Sequence, residues 1–512
     1  MSLQFYFGPS GAGKSRMLYE EVIRRAGENP GQNFLIIVPD QFTMQTQKEF
    51  VLLSDRGGIM NIDVLSFGRL SHRILEEVGG QDIPVLDDTG KSLVLQKVAS
   101  GLRDELPTLG SFLQRQGYIH EVKSAISEFM QYGIGTEDVK TLIAYAQKRG
   151  ALAQKLKDLE TLYKGFMDYI HGSFITTEET LDVLRRSLQK SRLLPGSVVV
   201  FDGFTGFTPI QNRVIAELMR LCGEVTMVLT LGDGENPYEL DGEQRLFHLT
   251  KKTVADLCRL AKDNNVERGK DVFVAGNHRF AQSPALCHLE RNLFRYHVTA
   301  FEEEQQEIQM FEASTPKEEV HQTGLEICRL IRENGCAYRD IAVIIGDLEG
   351  YAPYVETEFA KMEIPVYIDR TRGIVLNPMI EYIKSALAIF DRNFTYETVF
   401  HYLRSGLSDL TQEEVDKLEN YCIRTGLRGY RGYSRLFTRK AQQEGDGDEE
   451  ELAELNSIRE RMMAQIEMLH LGKEEPVKTY VNALYDFLVQ NRVQQKLFEY
   501  QEKFEAAGEA GR

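Results

Sequence analysis

Eight residues, Gly8-Pro9-Ser10-Gly11-Ala12-Gly13-Lys14-Ser15, match the spacing G-x-x-x-x-G-K-[ST] without a gap, and they constrain the fold more than any other feature of the chain. Such a loop works only where a strand ends and a helix begins. Its glycines let backbone N–H groups curl round phosphate oxygens, and the helix adds its positive dipole end. The flanks supply that setting: Leu3-Gln4-Phe5-Tyr6-Phe7 reads as a strand and Arg16 to Ile23 as an amphipathic helix. The pattern assigns Gly8, Pro9, Ser10, Gly11, Ala12, Gly13, Lys14 and Ser15 to a nucleotide phosphate. Lys14 is the point charge for the β/γ oxygens, and the Ser15 hydroxyl is a Mg²⁺ ligand. A glycine-rich turn with no ligand is the plainer alternative.

The rest of the hydrophobic pattern extends this unit into an α/β fold. Phe34-Leu35-Ile36-Ile37-Val38-Pro39 is a continuous apolar run, as expected of a parallel strand covered on both faces. Ile62 to Phe67 reads as a third strand, with a helix over Arg69 to Val78. Between about Asp88 and Ser191 the periodicity is helical, and it includes a Thr176-x-x-Glu179 capping box. Strands return at Ser197 to Asp202 and Val225 to Leu231, on either side of a helix from Pro209 to Leu221. A second α/β unit is expected from Glu307 to Glu312 as strand, Glu318 to Glu333 as helix and Ile341 to Ile345 as strand. From about Glu381 onward the chain reads as helix, interrupted by an acidic loop at Glu444 to Glu451. Its helix-like end, Glu505 to Arg512, closes no domain, which is the expectation for a fragment.

Bulk numbers narrow the function. At 512 residues the length suggests about three to four domains. A net charge of −17 excludes a surface that binds nucleic acid everywhere, so any DNA contact must be a local basic track or be shared with a partner. With no run of about 18 apolar residues and no charged-then-apolar leader, a cytoplasmic protein with no membrane contact is expected. Cys222, Cys258, Cys287, Cys328, Cys336 and Cys422 form no C-x-x-C pair, which predicts reduced, mostly buried thiols.

A phosphate loop needs an acidic partner on a neighbouring strand to hold Mg²⁺ through water. Asp202, at the end of the apolar run Val198 to Phe201, is placed for that role, with an ordinary turn aspartate as the alternative. The only dense basic stretch is residues 424–440. There Arg424, Arg428, Arg431, Arg435, Arg439 and Lys440 could follow a phosphate backbone while Tyr430 and Tyr433 stack bases. A solvated loop paired to the acidic segment after it is the competing reading. His72 and His321 sit on expected helices without a partner pattern and read as structural.

Several segments resemble UvrD-like superfamily 1 helicases. Asp202-Gly203-Phe204-Thr205-Gly206-Phe207-Thr208-Pro209-Ile210-Gln211 resembles their motif II, and Gly232 to Tyr238 their motif III. Val38 to Thr43 and Val64 to Leu70 sit where motifs Ia and Ib would. With Tyr396-Glu397-x-Val399-Phe400-x-Tyr402-Leu403-Arg404-Ser405-Gly406-Leu407, the chain is similar over nearly its whole length to the B subunits of bacterial AddAB helicase-nucleases. That resemblance implies two RecA-like parallel-sheet domains, each with a helical insertion. Residues 1–90 and 190–300 would form the first, 91–189 its insertion, 301–385 an incomplete second and 386–512 a truncated insertion. It further implies ATP and Mg²⁺ as ligands and an AddA-like partner in a heterodimer. Double- and single-stranded DNA would be bound, with Gln41, Thr43, Ser66 and Arg69 near the single strand, and Chi would be recognised during double-strand-end processing for recombinational repair. The family's nuclease domain and [4Fe-4S] cluster are expected only in a C-terminal part beyond residue 512.

Departures from that family matter equally. Gly203 stands where active members carry the glutamate that orients the attacking water, Asn236 where a glutamine senses γ-phosphate, and Ile344 to Asp347 where an arginine would reach the nucleotide. The expectation is a pocket that holds ATP but turns it over poorly. A stand-alone P-loop NTPase or kinase, or a scaffold that no longer binds nucleotide, are the alternatives.

Overall fold

Alternation of side chains along the first strands decides how the chain layers. In the computed structural model, which describes residues 1–512 except 55–56, 80–83, 114, 372, 375–376, 440–446, 473 and 509–512, the chain divides into two compact units, Met1–Phe311 and Glu312–Arg512. The first is built on a sheet whose strands are β1 (Ser2–Gly8), β2 (Phe34–Ile37), β3 (Ile62–Leu65), β6 (Val198–Phe201), β7 (Glu224–Thr230), β8 (Glu267–Arg268) and β9 (Val272–Phe273). Between β3 and β6 in the sequence, β4 (Val85–Leu86) and β5 (Ile175–Thr176) pair with each other. The main sheet runs β3-β2-β6-β7-β1-β8, with β9 also against β1, and every pairing is parallel.

Leu3, Phe5 and Phe7 of β1 point to one face with Leu35, Ile37, Val199, Phe201, Val225, Met227 and Leu229. Tyr6, Phe34, Ile36, Val198, Val200 and Val228 point to the other. Both faces are covered, which is why β2 and β6 read as unbroken apolar runs. Helix α1 (Lys14–Glu28) and helix α2 (Thr43–Leu53) close the second face through Leu18, Tyr19, Val22 and Phe50. The first face is closed by α3 (Phe67–Val78) and by helices described below.

The long connection between β3 and β6 is helical, as expected. Helices α4 (Asp88–Gly101), α5 (Gln116–Tyr132), α6 (Thr136–Ala146) and α7 (Gly150–Ile170) bury their own core around Leu95, Ile126, Val139, Leu162 and Phe166. The capping box at Thr176 forms and starts α8 (Thr177–Ser187), whose Leu184 returns to the sheet core. Helix α9 (Pro209–Leu221) begins with proline in its first turn and a Thr208–Gln211 capping box, and α10 (His248–Asp263) and α11 (Pro284–Asn292) complete the unit.

The second unit departs from expectation. Glu307 to Glu312 and Ile341 to Ile345 form no strand, and no strand occurs among the described residues of Glu312–Arg512. A parallel strand needs a hydrogen-bonded neighbour, and β-branched sequence alone cannot supply one. Helices α12 (Pro316–Asn334) and α13 (Leu348–Lys361) pack through Val320, Ile327, Val355 and Phe359. Beyond them α14 (Pro378–Asp391), α15 (Tyr396–Leu403), α16 (Gln412–Thr425), α17 (Tyr430–Ser434), α18 (Gly447–Ile466), α19 (Val477–Gln490) and α20 (Val493–Ala506) share a core centred on Tyr382, Tyr402 and Phe487. The acidic stretch expected as a loop is helical from Gly447, while residues 444–446 lie outside the described residues. No described helix is long and apolar enough to cross a membrane.

Leu218 of α9 is fully buried against the sheet, so Leu218→Ala is expected to cost about 2–5 kcal/mol. A lowered denaturant midpoint of the unit containing the sheet, read by tyrosine fluorescence, checks this.

Candidate nucleotide-binding site

Parallel pairing brings the C-terminal ends of the strands to one edge. Ile37 is in register with both Leu65 and Phe201, and Gly8 with Thr230. The phosphate-loop residues leave β1 at Gly8 and enter α1 at Lys14 along that edge. They line a cleft of about 780 Å³ that holds Ser10, Gly11, Gly13, Lys14, Ser15, Tyr19, Asp202, Gly203, Thr230, His278 and Arg279. The two residues expected to face a cation, Ser15 and Asp202, thus share one cavity although about 190 residues separate them.

Gly11 needs its missing side chain. It has φ +81°, and a Cβ there would stand 2.7 Å from Asn277 Oδ1 and 2.9 Å from Arg279 Cβ. Residues 275–280 lie against the loop, and the Arg279 backbone N–H donates to the Gly11 carbonyl at 3.1 Å. Buried Asn277 Nδ2 has no hydrogen-bond partner. The Lys14 ammonium is buried and donates to the Pro9 carbonyl at 2.8 Å. Burial pulls its pKa below the usual lysine value, Asp202 and Glu290 oppose that shift, and the Arg279 charge adds to it. Two cations, a glycine loop, a helix start, a hydroxyl and a carboxylate are a donor set that could hold a phosphoanhydride with its divalent cation.

Sequence reasoning missed Arg279 and His278. It looked for a nucleotide-directed arginine at Ile344 to Asp347 and found none, whereas Arg279 lines the cleft from the first unit. An arginine in a loop carries no local pattern, so only the fold reveals it. Asn236 lies elsewhere, in a smaller cavity with Gly8, Gly232 and Ala275.

Asp202 is buried at the end of β6, its backbone N–H donating to the Ile37 carbonyl at 3.0 Å. Next to it, Gly203 adopts φ +81°, and a Cβ there would meet Pro39 Cδ at 3.3 Å and Phe42 Cδ2 at 3.6 Å. The position therefore lacks a carboxylate and is also shaped against one.

The expected DNA contacts divide. Ser66 is buried and caps α3 by accepting from the Arg69 N–H, and Thr43 Oγ1 donates to the Asp40 carbonyl, so both serve the backbone. Arg69 and Gln41 are exposed. In the second unit Arg428 and Arg431 are exposed and make no ion pair among the described residues, while Arg424 pairs with Glu451 at 3.1 Å. Tyr430 is half-buried, with its hydroxyl on Glu467 and its ring against His470. Tyr433 is fully buried, its hydroxyl facing Cys422 Sγ at 3.5 Å and its ring facing Phe394. The base stacking expected of Tyr433 has no free ring face, because a five-residue helix turns that tyrosine into the core. Lys440 lies outside the described residues. His72 and His321 each face a carboxylate on a helix, Glu76 at 3.5 Å and Glu358 at 3.0 Å. All six cysteines are free, but only Cys222 and Cys422 are buried, fewer than expected.

A parallel sheet with a strand-loop-helix phosphate cradle and a carboxylate on an adjacent strand end defines a P-loop, RecA-like α/β unit. A family profile described as "ADDB, N-terminal" matches residues 5–290, more than half of the chain, and the chain belongs to that AddB family. It is 38% identical over 517 residues to the B subunit of the ATP-dependent helicase/deoxyribonuclease of Lachnoclostridium phytofermentans, covering 99% of this chain and 45% of that protein. Relatives of the same name from Clostridium tetani and Caldanaerobacter subterraneus subsp. tengcongensis are 32% and 31% identical, over 97% and 99% of this chain and 44% of each relative. The chain spans somewhat under half the length of these curated relatives.

A side chain at Gly203 meets both an unfavourable φ and the Pro39 ring. Gly203→Ala is expected to destabilise the sheet unit by about 1–2 kcal/mol, read as a lowered melting temperature.

Proposed function

We propose that this chain is the nucleotide-holding, helicase-like portion of the B subunit of an ATP-dependent helicase/deoxyribonuclease, one that holds ATP without working as a motor. The observation that carries the reading is the pairing of an intact cradle, Lys14 and Arg279 facing Asp202 and Ser15 in one cleft, with a glycine in left-handed geometry at position 203. Lys14 and Arg279 would neutralise phosphate oxygens, the loop amides would orient them, and Ser15 and Asp202 would hold Mg²⁺. Nothing at residue 203 can accept a proton from the attacking water.

The relatives' names supply the context: a second, AddA-like subunit, DNA as the polymer acted on, and a cytoplasmic setting. In this reading the assembly processes double-strand ends for recombinational repair, and this chain takes part in recognising Chi. The nuclease site and its [4Fe-4S] cluster belong to the remaining length of the relatives. Residues 1–90 and 190–300 act as the first RecA-like domain of superfamily 1 type, with 91–189 inserted. Residues 301–385 and 386–512 supply part of a second such domain and its helical insertion. DNA is held by local contacts, Arg69 in the first unit and Arg428 and Arg431 in the second, where the half-buried Tyr430 offers one ring edge.

Equilibrium titration with a fluorescent ATP analogue tests the holder. Binding in Mg²⁺ is expected, weakened at least about tenfold by Lys14→Ala, with no Lys14-dependent phosphate release at helicase rates. No binding, or turnover that Lys14→Ala abolishes, overturns the reading. For DNA, Arg428→Ala with Arg431→Ala is expected to reduce the slope of log affinity against log salt by about 1.5–2, and an unchanged slope removes this patch from the interface.

A further inference from the structure

The Asp202 carboxylate already has a partner inside the protein. Tyr19, in the second turn of α1 after the loop, donates its hydroxyl to Asp202 Oδ2 at 2.7 Å, and both side chains are buried. The phenol is held in place. Its ring lies 4.4 Å from that of Phe50 on α2, and the Thr46 hydroxyl on the same helix is a further hydrogen-bond neighbour of its oxygen. Burial first, and the Asp202 charge second, raise the Tyr19 pKa far above the ordinary tyrosine value, so the group stays a donor across the working pH range. Tyr19 and Asp202 both line the cleft that contains Ser15 and Lys14.

A carboxylate that meets a cation through water is useful only if its plane is fixed, and a buried, rotationally locked donor on one oxygen fixes it while the other oxygen stays open. We propose that Tyr19 is the positioning residue for the metal-facing carboxylate, setting the orientation of Asp202 toward a divalent cation that accompanies a bound nucleoside triphosphate. This rests on the nucleotide-holding reading above. Because the ring is wedged against α2, the same phenol ties the helix that follows the β2 edge to the carboxylate at the end of β6.

Tyr19→Phe keeps the ring, its packing on Phe50 and the burial, and removes only the donor. The test uses the full chain and a fluorescent ATP analogue, titrated first in EDTA and then with Mg²⁺. Metal-free analogue affinity should match the unmodified protein, while the Mg²⁺ concentration at half-effect rises about tenfold or more. A merely structural tyrosine would lower both affinities together, or neither. An unchanged Mg²⁺ half-effect, or a parallel loss in EDTA, overturns the inference while leaving the holder reading intact. Failure of the unmodified protein to bind the analogue overturns the holder reading and this inference with it. Melting temperatures of the two proteins within a few degrees exclude a folding defect as the source of a shift.

Discussion

The register of the parallel sheet carries everything else in the first unit. Side chains alternate along each strand, so a slip of one residue in β1 would exchange Phe5 and Phe7 for Tyr6 and set both cores against the wrong helices. The same register ends Gly8, Ile37, Phe201 and Thr230 at one edge, and the cleft exists because those ends coincide. Phosphate cradle, candidate metal carboxylate and the arginine-bearing segment after β9 are separated by long stretches of sequence, including an entire helical insertion with its own core. Hydrophobic patterning therefore does the positioning, and the polar groups inherit their places from it.

Within the cleft, both buried charges are satisfied locally. Lys14 rests on the Pro9 carbonyl and Asp202 on the Tyr19 phenol, so neither is left without a partner. Gly203 differs in kind. A glutamate simply exchanged for glycine would leave a backbone able to take the side chain back, but φ +81° beside Pro39 and Phe42 describes a turn rebuilt around the absence of a side chain. That geometry is what favours a holder of nucleotide over an engine in the proposed function.

Much of the site was legible, and the omissions share a cause. The loop, Asp202 and the capping boxes at Thr176 and Thr208 declare themselves because their chemistry is local in sequence. Arg279 does not, since its relevance lies in touching Gly11 across the fold. Tyr430 and Tyr433 looked alike within one basic stretch, yet a single helical turn sends Tyr433 into the core and leaves Tyr430 half-exposed. Ile341 to Ile345 has strand composition and no strand, because pairing depends on a partner that composition does not encode.

By itself the sequence determined the phosphate loop, the strand-helix alternation around it, the helical insertion and membership in a recognisable pattern, since each is written in residues within a few turns of one another. Tertiary structure alone decided which carboxylate, cations and phenol share the cleft, which tyrosine is buried and which apolar runs become strands. Those outcomes depend on contacts between segments far apart in the chain, and no local periodicity records them.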